Sequence, residues 1–152
     1  MFIDQRSEFC SNTALSTAAT GIANVGNVLD TTTARDLGNG RPIYLVILCT
    51  TTATSGGSAT VSFSLASDSV SSIHTDGTEI THLTSPTYPV ASITAGTVLY
   101  VGAIPFGALN AYKEYLGIQQ NVGTAALTAG AIEAFLTQDV AQWAAYTAPS
   151  QN

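Results

Sequence analysis

The chain has 152 residues, only 9% of them charged against about 25% in an average domain, and ten acids against four bases leave a net charge of −6. That balance offers no basic footprint for nucleic acid or an anionic membrane surface, and no apolar run reaches the ~18 residues that a membrane-spanning helix needs. The length suits one domain able to bury roughly 70% of its unfolded surface, and a surface whose polarity rests on Ser, Thr, Asn and Gln is expected to be covered in part by neighbours.

Residues 1–13 read as an extended N-terminal arm and residues 14–152 as a single β-sandwich domain. In the arm Phe2, Ile3 and Phe9 are apolar, while Asp4, Arg6 and Glu8 lie between or beside them. Such a segment must dock, either as a first edge strand of its own domain or as an arm embracing a neighbouring subunit. The charges make it a poor central strand, so Phe2, Ile3 and Phe9 are expected at an interface. The opening residues are broken by charge and do not read as a signal peptide, so the protein is expected to be made and used, or assembled, in a cytoplasm.

From Ala14 to Asn27 small residues dominate, and Gly21 and Gly26 discourage a helix. Val28 and Leu29 close a short strand before the polar segment from Asp30 to Asp36. Gly38-Asn39-Gly40 marks a turn and lacks the third glycine of a dinucleotide fingerprint.

The stretch from Arg41 to Leu65 carries the strongest signal. Ile43 to Cys49 is a continuous apolar run rich in strand formers, and Val61, Phe63 and Leu65 alternate with Thr60, Ser62 and Ser64. With Gly56-Gly57 between them, the two runs are expected to pair as an antiparallel hairpin. That register places Tyr44, Val46 and Leu48 on the face of Val61, Phe63 and Leu65. It leaves Leu45, Ile47 and Cys49 facing away, to be covered by the arm or by an adjacent subunit.

Beyond Leu65 the chain turns polar, with a turn at Asp76-Gly77 and weak alternation from Glu79 to Thr84. Pro86 and Pro89 bracket Tyr88 and argue for a loop or an edge strand. Thr97 to Ile104 is a second apolar run. Tyr112, Leu116, Ile118 and Val122 share a parity, and Ile132 to Leu136 is the last strand candidate, followed by Trp143 and Tyr146. About eight strands at short spacing, with no amphipathic helix, predict an all-β sandwich of jelly-roll or immunoglobulin-like topology.

Chemistry-bearing patterns are sparse. His74 and His82 flank Glu79, but no third ligand completes a metal site, and an exposed pair without metal or other cofactor is expected. There is no Gly-x-Ser-x-Gly elbow, and Cys49 sits in an apolar strand rather than an electropositive setting. Cys10 and Cys49, the only cysteines, read as two small buried apolar residues, although one disulfide is arithmetically available. No enzyme activity is expected.

The segment Arg41-Pro-Ile-Tyr-Leu-Val-Ile, continuing through Thr-Thr-Ala-Thr-Ser-Gly-Gly-Ser-Ala-Thr-Val-Ser-Phe-Ser-Leu, resembles the capsid cement proteins of some tailed bacteriophages. So do Tyr115-Leu-Gly-Ile-Gln-Gln-Asn-Val-Gly-Thr-Ala-Ala-Leu-Thr-Ala-Gly and the following Ala131-Ile-Glu-Ala-Phe-Leu-Thr, and the likeness extends over nearly the whole chain. The resemblance implies a jelly-roll homotrimer on the outer surface of an icosahedral capsid. There it would bridge major capsid proteins and stabilise the shell against packaged DNA, with no catalytic residues to carry over. The alternative from another class is a lectin-like carbohydrate-binding jelly roll, with Tyr88, Tyr112 and Trp143 as candidate aromatic contacts.

Overall fold

A computed structural model describes residues 7–31, 41–105 and 111–140. Within them the chain forms nine strands: β1 (Glu8–Ala14), β2 (Gly21–Asp30), β3 (Tyr44–Ser55), β4 (Thr60–Asp68), β5 (Ile80–Thr84), β6 (Tyr88–Pro89), β7 (Val98–Ala103), β8 (Tyr115–Gly123) and β9 (Leu127–Thr137). A 3-10 turn, Val90–Ser92, lies between β6 and β7.

All pairings are antiparallel, in two sheets. The first has the order β1-β9-β3-β7; the second has the order β2-β8-β4-β5, with β6 also paired to β4. Successive strands β1 to β4 alternate between the sheets, as do β7 to β9, which is the jelly-roll arrangement rather than the immunoglobulin one. The core lies between the sheets. Leu45, Ile47, Cys49, Ile132, Ala134 and Leu136 from the first sheet meet Val61, Phe63, Leu65, Leu116, Ile118 and Val122 from the second.

The Arg41–Leu65 hairpin is therefore corrected. Both strands exist, but β3 pairs with β7 and β9, while β4 pairs with β5, β6 and β8. The Gly56-Gly57 turn carries the chain from one sheet to the other. Ser55 ties the end of β3 to its true neighbour, donating from Oγ to the Ala126 carbonyl at 2.7 Å. Packing the two apolar faces across a core buries both, whereas a hairpin would have left both needing a cover.

The expected faces reverse for the same reason. Leu45 and Ile47 are fully buried against the opposite sheet, not turned away toward an arm or a neighbouring subunit. Val46 and its β9 neighbour Phe135 are also fully buried, so the middle of β3 is apolar on both sides. Continuous apolar runs belong to central strands of this kind.

Part of the expected arm is a strand of the sandwich. From Glu8 onward the chain is β1, paired with β9 through Glu8↔Phe135, Cys10↔Ala134, Thr13↔Ile132 and Ala14↔Ala131. Phe9 is fully buried in the domain's own core. The segment rich in small residues becomes the ten-residue strand β2, not the short strand expected at Val28 and Leu29. Its Gly26 has φ +77°, and a Cβ there would collide with the Phe9 carbonyl and the Cys10 sulfur where β1 passes. Only glycine allows both that backbone conformation and that approach.

Candidate functional site

The chemically richest region is the far end of the second sheet, where the β4–β5 connection folds back over its outer face. Asp68 ends β4 and is almost fully buried. Its carboxylate accepts from the backbone N–H of His74 (3.0 Å) and of Ser69 (2.7 Å), pairs with His74 Nδ1 (2.6 Å), and takes Lys113 Nζ at 3.4 Å. These bonds hold the carboxyl well below the usual carboxylate range. The His74 N–H contributes most, against the opposing effect of burial.

The same loop is clamped from the sheet itself. Asn24 Nδ2 donates to the Ile73 carbonyl (2.6 Å), and Gln119 Nε2 donates to the His74 carbonyl (2.8 Å) and to Asn24 Oδ1 (3.1 Å). Ile73 is buried where Gly117 leaves room for it, close to Val28. Lys113 Nζ donates to the Thr78 carbonyl at 3.0 Å and closes the far side.

Beside this clamp, Ser67 Oγ accepts the Lys113 backbone N–H (3.0 Å) and lies 2.7 Å from His82 Nε2. A neutral His82 ring accepting the Ser67 proton satisfies all three groups. Burial pushes the His82 pKa below its ordinary value, in keeping with that neutral form. The ring stacks on Tyr112 with centroids 3.8 Å apart, and the Tyr112 hydroxyl donates to the Pro105 carbonyl.

Serine, two histidines and an aspartate thus lie close together, but they form two separate pairs. Asp68 bonds His74, while Ser67 bonds His82, and Ser67 is fully buried. The arrangement orients no exposed nucleophile; it fastens a loop to a sheet. Among the described residues no cluster of three or more His, Cys, Asp or Glu is placed to hold a metal ion. Cys10 and Cys49 are both free and buried, with the Cys10 thiol pushed up to about 12 chiefly by burial.

The first sheet offers surface instead of chemistry. On the outer side of the first sheet, Val98 and Val101 are exposed large apolar residues. Glu133 is half-buried, and burial together with the nearby Glu8 raises its carboxyl above the ordinary range. A strand edge crosses this region at β7, where the Tyr88 hydroxyl donates to the Leu99 carbonyl.

A protein-family model described as Bbp16 matches residues 12–136, which run from within β1 to within β9 and so take in the sandwich nearly whole. The chain belongs to the Bbp16 family. No curated protein matches it. In this Bbp16-family sandwich the residues expected at an interface are dispersed. Phe2 and Ile3 lie outside the described residues, while Phe9, Leu45 and Ile47 are core. The lectin-like candidates fare similarly: Tyr88 and Tyr112 have their hydroxyls engaged, and Trp143 lies outside the described residues.

Two buried polar residues of β8, Gln119 in the loop clamp and Gln120 bonded to Ser16 on the other face of the strand, were missed by sequence reasoning. Gln119 and Gln120 are each 1% exposed. Their parity on β8 was readable, since they sit within a strand whose Leu116, Ile118 and Val122 alternate, but nothing local distinguishes a buried glutamine from an exposed one.

Proposed function

We propose that this chain is a structural virion protein, a cement or decoration protein that binds the outer surface of an icosahedral phage capsid as a homotrimer and stabilises the shell. The observation that carries the reading is the resemblance of the two long segments quoted above. They correspond to β3 with β4 and β8 with β9, which together are the four inner strands of the two sheets, so the likeness lies in the part of the sequence that builds the sandwich. Membership of the Bbp16 family supports a specific lineage for this jelly roll without itself assigning a role. A charge-poor surface suits broad contact with a neighbouring protein layer.

The mechanism is mass action. A protein that binds the assembled shell and not its separated subunits stabilises the shell by its binding free energy. Many copies engaged at once hold without any single strong site. Cyclic trimerisation would match each copy to a threefold position on the lattice. No member of the loop clamp needs a catalytic role in this account, and the clamp serves to stiffen the domain.

The direct test mixes purified chain with capsids that lack it, followed by sedimentation and thermal disruption of the shells. Stoichiometric co-sedimentation and a raised disruption temperature are expected, with the major capsid protein as the binding partner. A chain that stays in the supernatant and leaves the shell's disruption unchanged would sink the proposal.

A further inference from the structure

Five strands bound the two sheets, with β5 and the two-residue β6 sharing one edge, and they are not alike. β1 carries Glu8 and two register shifts, β2 a shift between Val25 and Leu29, and β5 a shift beside Leu65, with only five residues. Charges, bulges and brevity are the devices by which proteins keep sheet edges from pairing with other chains. β7 has one shift, between Val98 and Tyr100, but from Tyr100 to Ala103 it is regular, uncharged and free of proline.

The direction of its free backbone groups follows from the pairing. The Ile104 N–H donates inward to the Ile43 carbonyl at 2.9 Å. By strand alternation Gly102 and Tyr100 also point toward β3, so Val101 and Ala103 direct their N–H and C=O groups outward. Neither residue has a backbone partner on that side among the described residues, and Val101 is 43% exposed.

We infer that this edge, centred on Gly102, is a two-fold contact between copies of this chain. Two β7 strands placed antiparallel with Gly102 opposite Gly102 bring Val101 of each against Ala103 of the other. All the outward groups then pair, giving about four hydrogen bonds. The self-match has three supports on the molecule. Gly102 on the axis has no side chain, and the Tyr100 ring already occupies the place where one would stand. The facing residues, Val101 and Ala103, are a large and a small apolar side chain. A chain of net charge −6 meets least repulsion from its own copy where charge is absent, and the sequence has no Asp, Glu, Lys or Arg from Ile80 to Tyr112.

An isologous edge contact makes a two-fold and cannot by itself make a threefold ring. It would therefore join neighbouring trimers of the proposed assembly to one another, and it stands independently of whether the chain binds a capsid. The contact is small, so it is weak between free copies and strong only where an array holds the edges in place.

Register gives the test. A Val101→Cys chain and an Ala103→Cys chain, each otherwise the full protein, are mixed at high concentration under mild oxidation. Directly opposed residues of a hydrogen-bonded antiparallel pair lie ~5.5 Å apart at Cα, within disulfide reach, whereas like residues sit diagonally and farther apart. The mixture is expected to form a 101–103 cross-linked heterodimer several-fold faster than either chain forms a homodimer. Val101→Pro, which removes only an outward N–H, is expected to abolish concentration-dependent dimerisation in sedimentation while leaving the melting curve in place. Equal cross-linking in mixed and unmixed samples would overturn the inference. So would undiminished association of the proline variant. A proline variant that fails to fold leaves the cross-linking result to decide.

Discussion

The two sides of the sandwich solve the same problem in opposite ways. On the β1–β2 side the sheets are drawn together. Gly26 lets β1 pass against β2, Cys10 Sγ reaches the Val25 carbonyl at 3.5 Å, and the Gln120 side chain clasps Ser16, accepting its N–H at 2.9 Å and donating to its carbonyl at 3.0 Å. On the β7 side the Tyr88 hydroxyl reaches the Leu99 carbonyl, and beyond it Val101 and Ala103 have no outward backbone partner among the described residues. The contrast suggests a division of labour: the closed side holds the fold, and the β7 side is where the inferred contact between copies would form. Substitutions on the first should cost stability, and those on the second should cost association.

The largest effect is expected in the core that both sides enclose. Ile47→Asp would place an unpaired carboxylate where exposure is zero, at a cost of at least about 4 kcal/mol. Chemical denaturation should find the variant unfolded or nearly so; parent-like stability would mean that Ile47 does not face the opposite sheet.

Gly26→Ala comes next. It forces a Cβ into the Phe9 carbonyl and the Cys10 sulfur at a positive φ, and should destabilise the domain by about 3 kcal/mol. The same substitution at Gly21, where φ is also positive but no atom lies near, should cost only about 1 kcal/mol. Equal urea midpoints for the two variants would break the claim that the β1–β2 side is closed by contact.

A smaller loss, about 1–2 kcal/mol, is expected for Gln120→Ala, which leaves the Ser16 N–H and C=O without their partner. Hydrogen exchange localised to the β1–β2 connection would confirm that the amide acts there.

The loop clamp adds a pH dependence. His82 has its pKa lowered on folding, so its contribution is complete above the ordinary value of about 6.5 and declines as pH falls through that value toward the folded one. Asp68 is also lowered, from an ordinary 3.8, so its contribution is lost only in more acid solution. Urea midpoints measured against pH should therefore fall in two stages, and His82→Gln should remove the first stage alone. A midpoint flat from neutrality to pH ~5 would contradict the assignment.

Smallest of all in stability is Val101→Pro, expected within about 0.5–1 kcal/mol of the parent because proline is tolerated at an outward edge position. If it unfolds the domain, the two sides are not as different as the hydrogen bonds indicate.

The sequence by itself determined the class of the fold and most of its parts. Alternation located β4 and β8, continuous apolar runs located β3, β7 and β9, and the absence of helical periodicity excluded helices, because those patterns are local and follow from side chains alternating about a strand. The resemblance also led to the jelly roll. Only the tertiary structure decided which strands are neighbours. A strand's pattern states which residues share a face, and it is the same whether the partner lies beside it or across a core. The Gly56-Gly57 turn therefore read as a hairpin when it is a crossing between sheets. Phe9, Leu45 and Ile47 moved from an expected interface to the interior by the same ambiguity. The Asp68–His74–Lys113 clamp was invisible for a related reason. Its members stand as much as 45 residues apart, and their burial is set by a loop folding over a sheet rather than by any spacing along the chain.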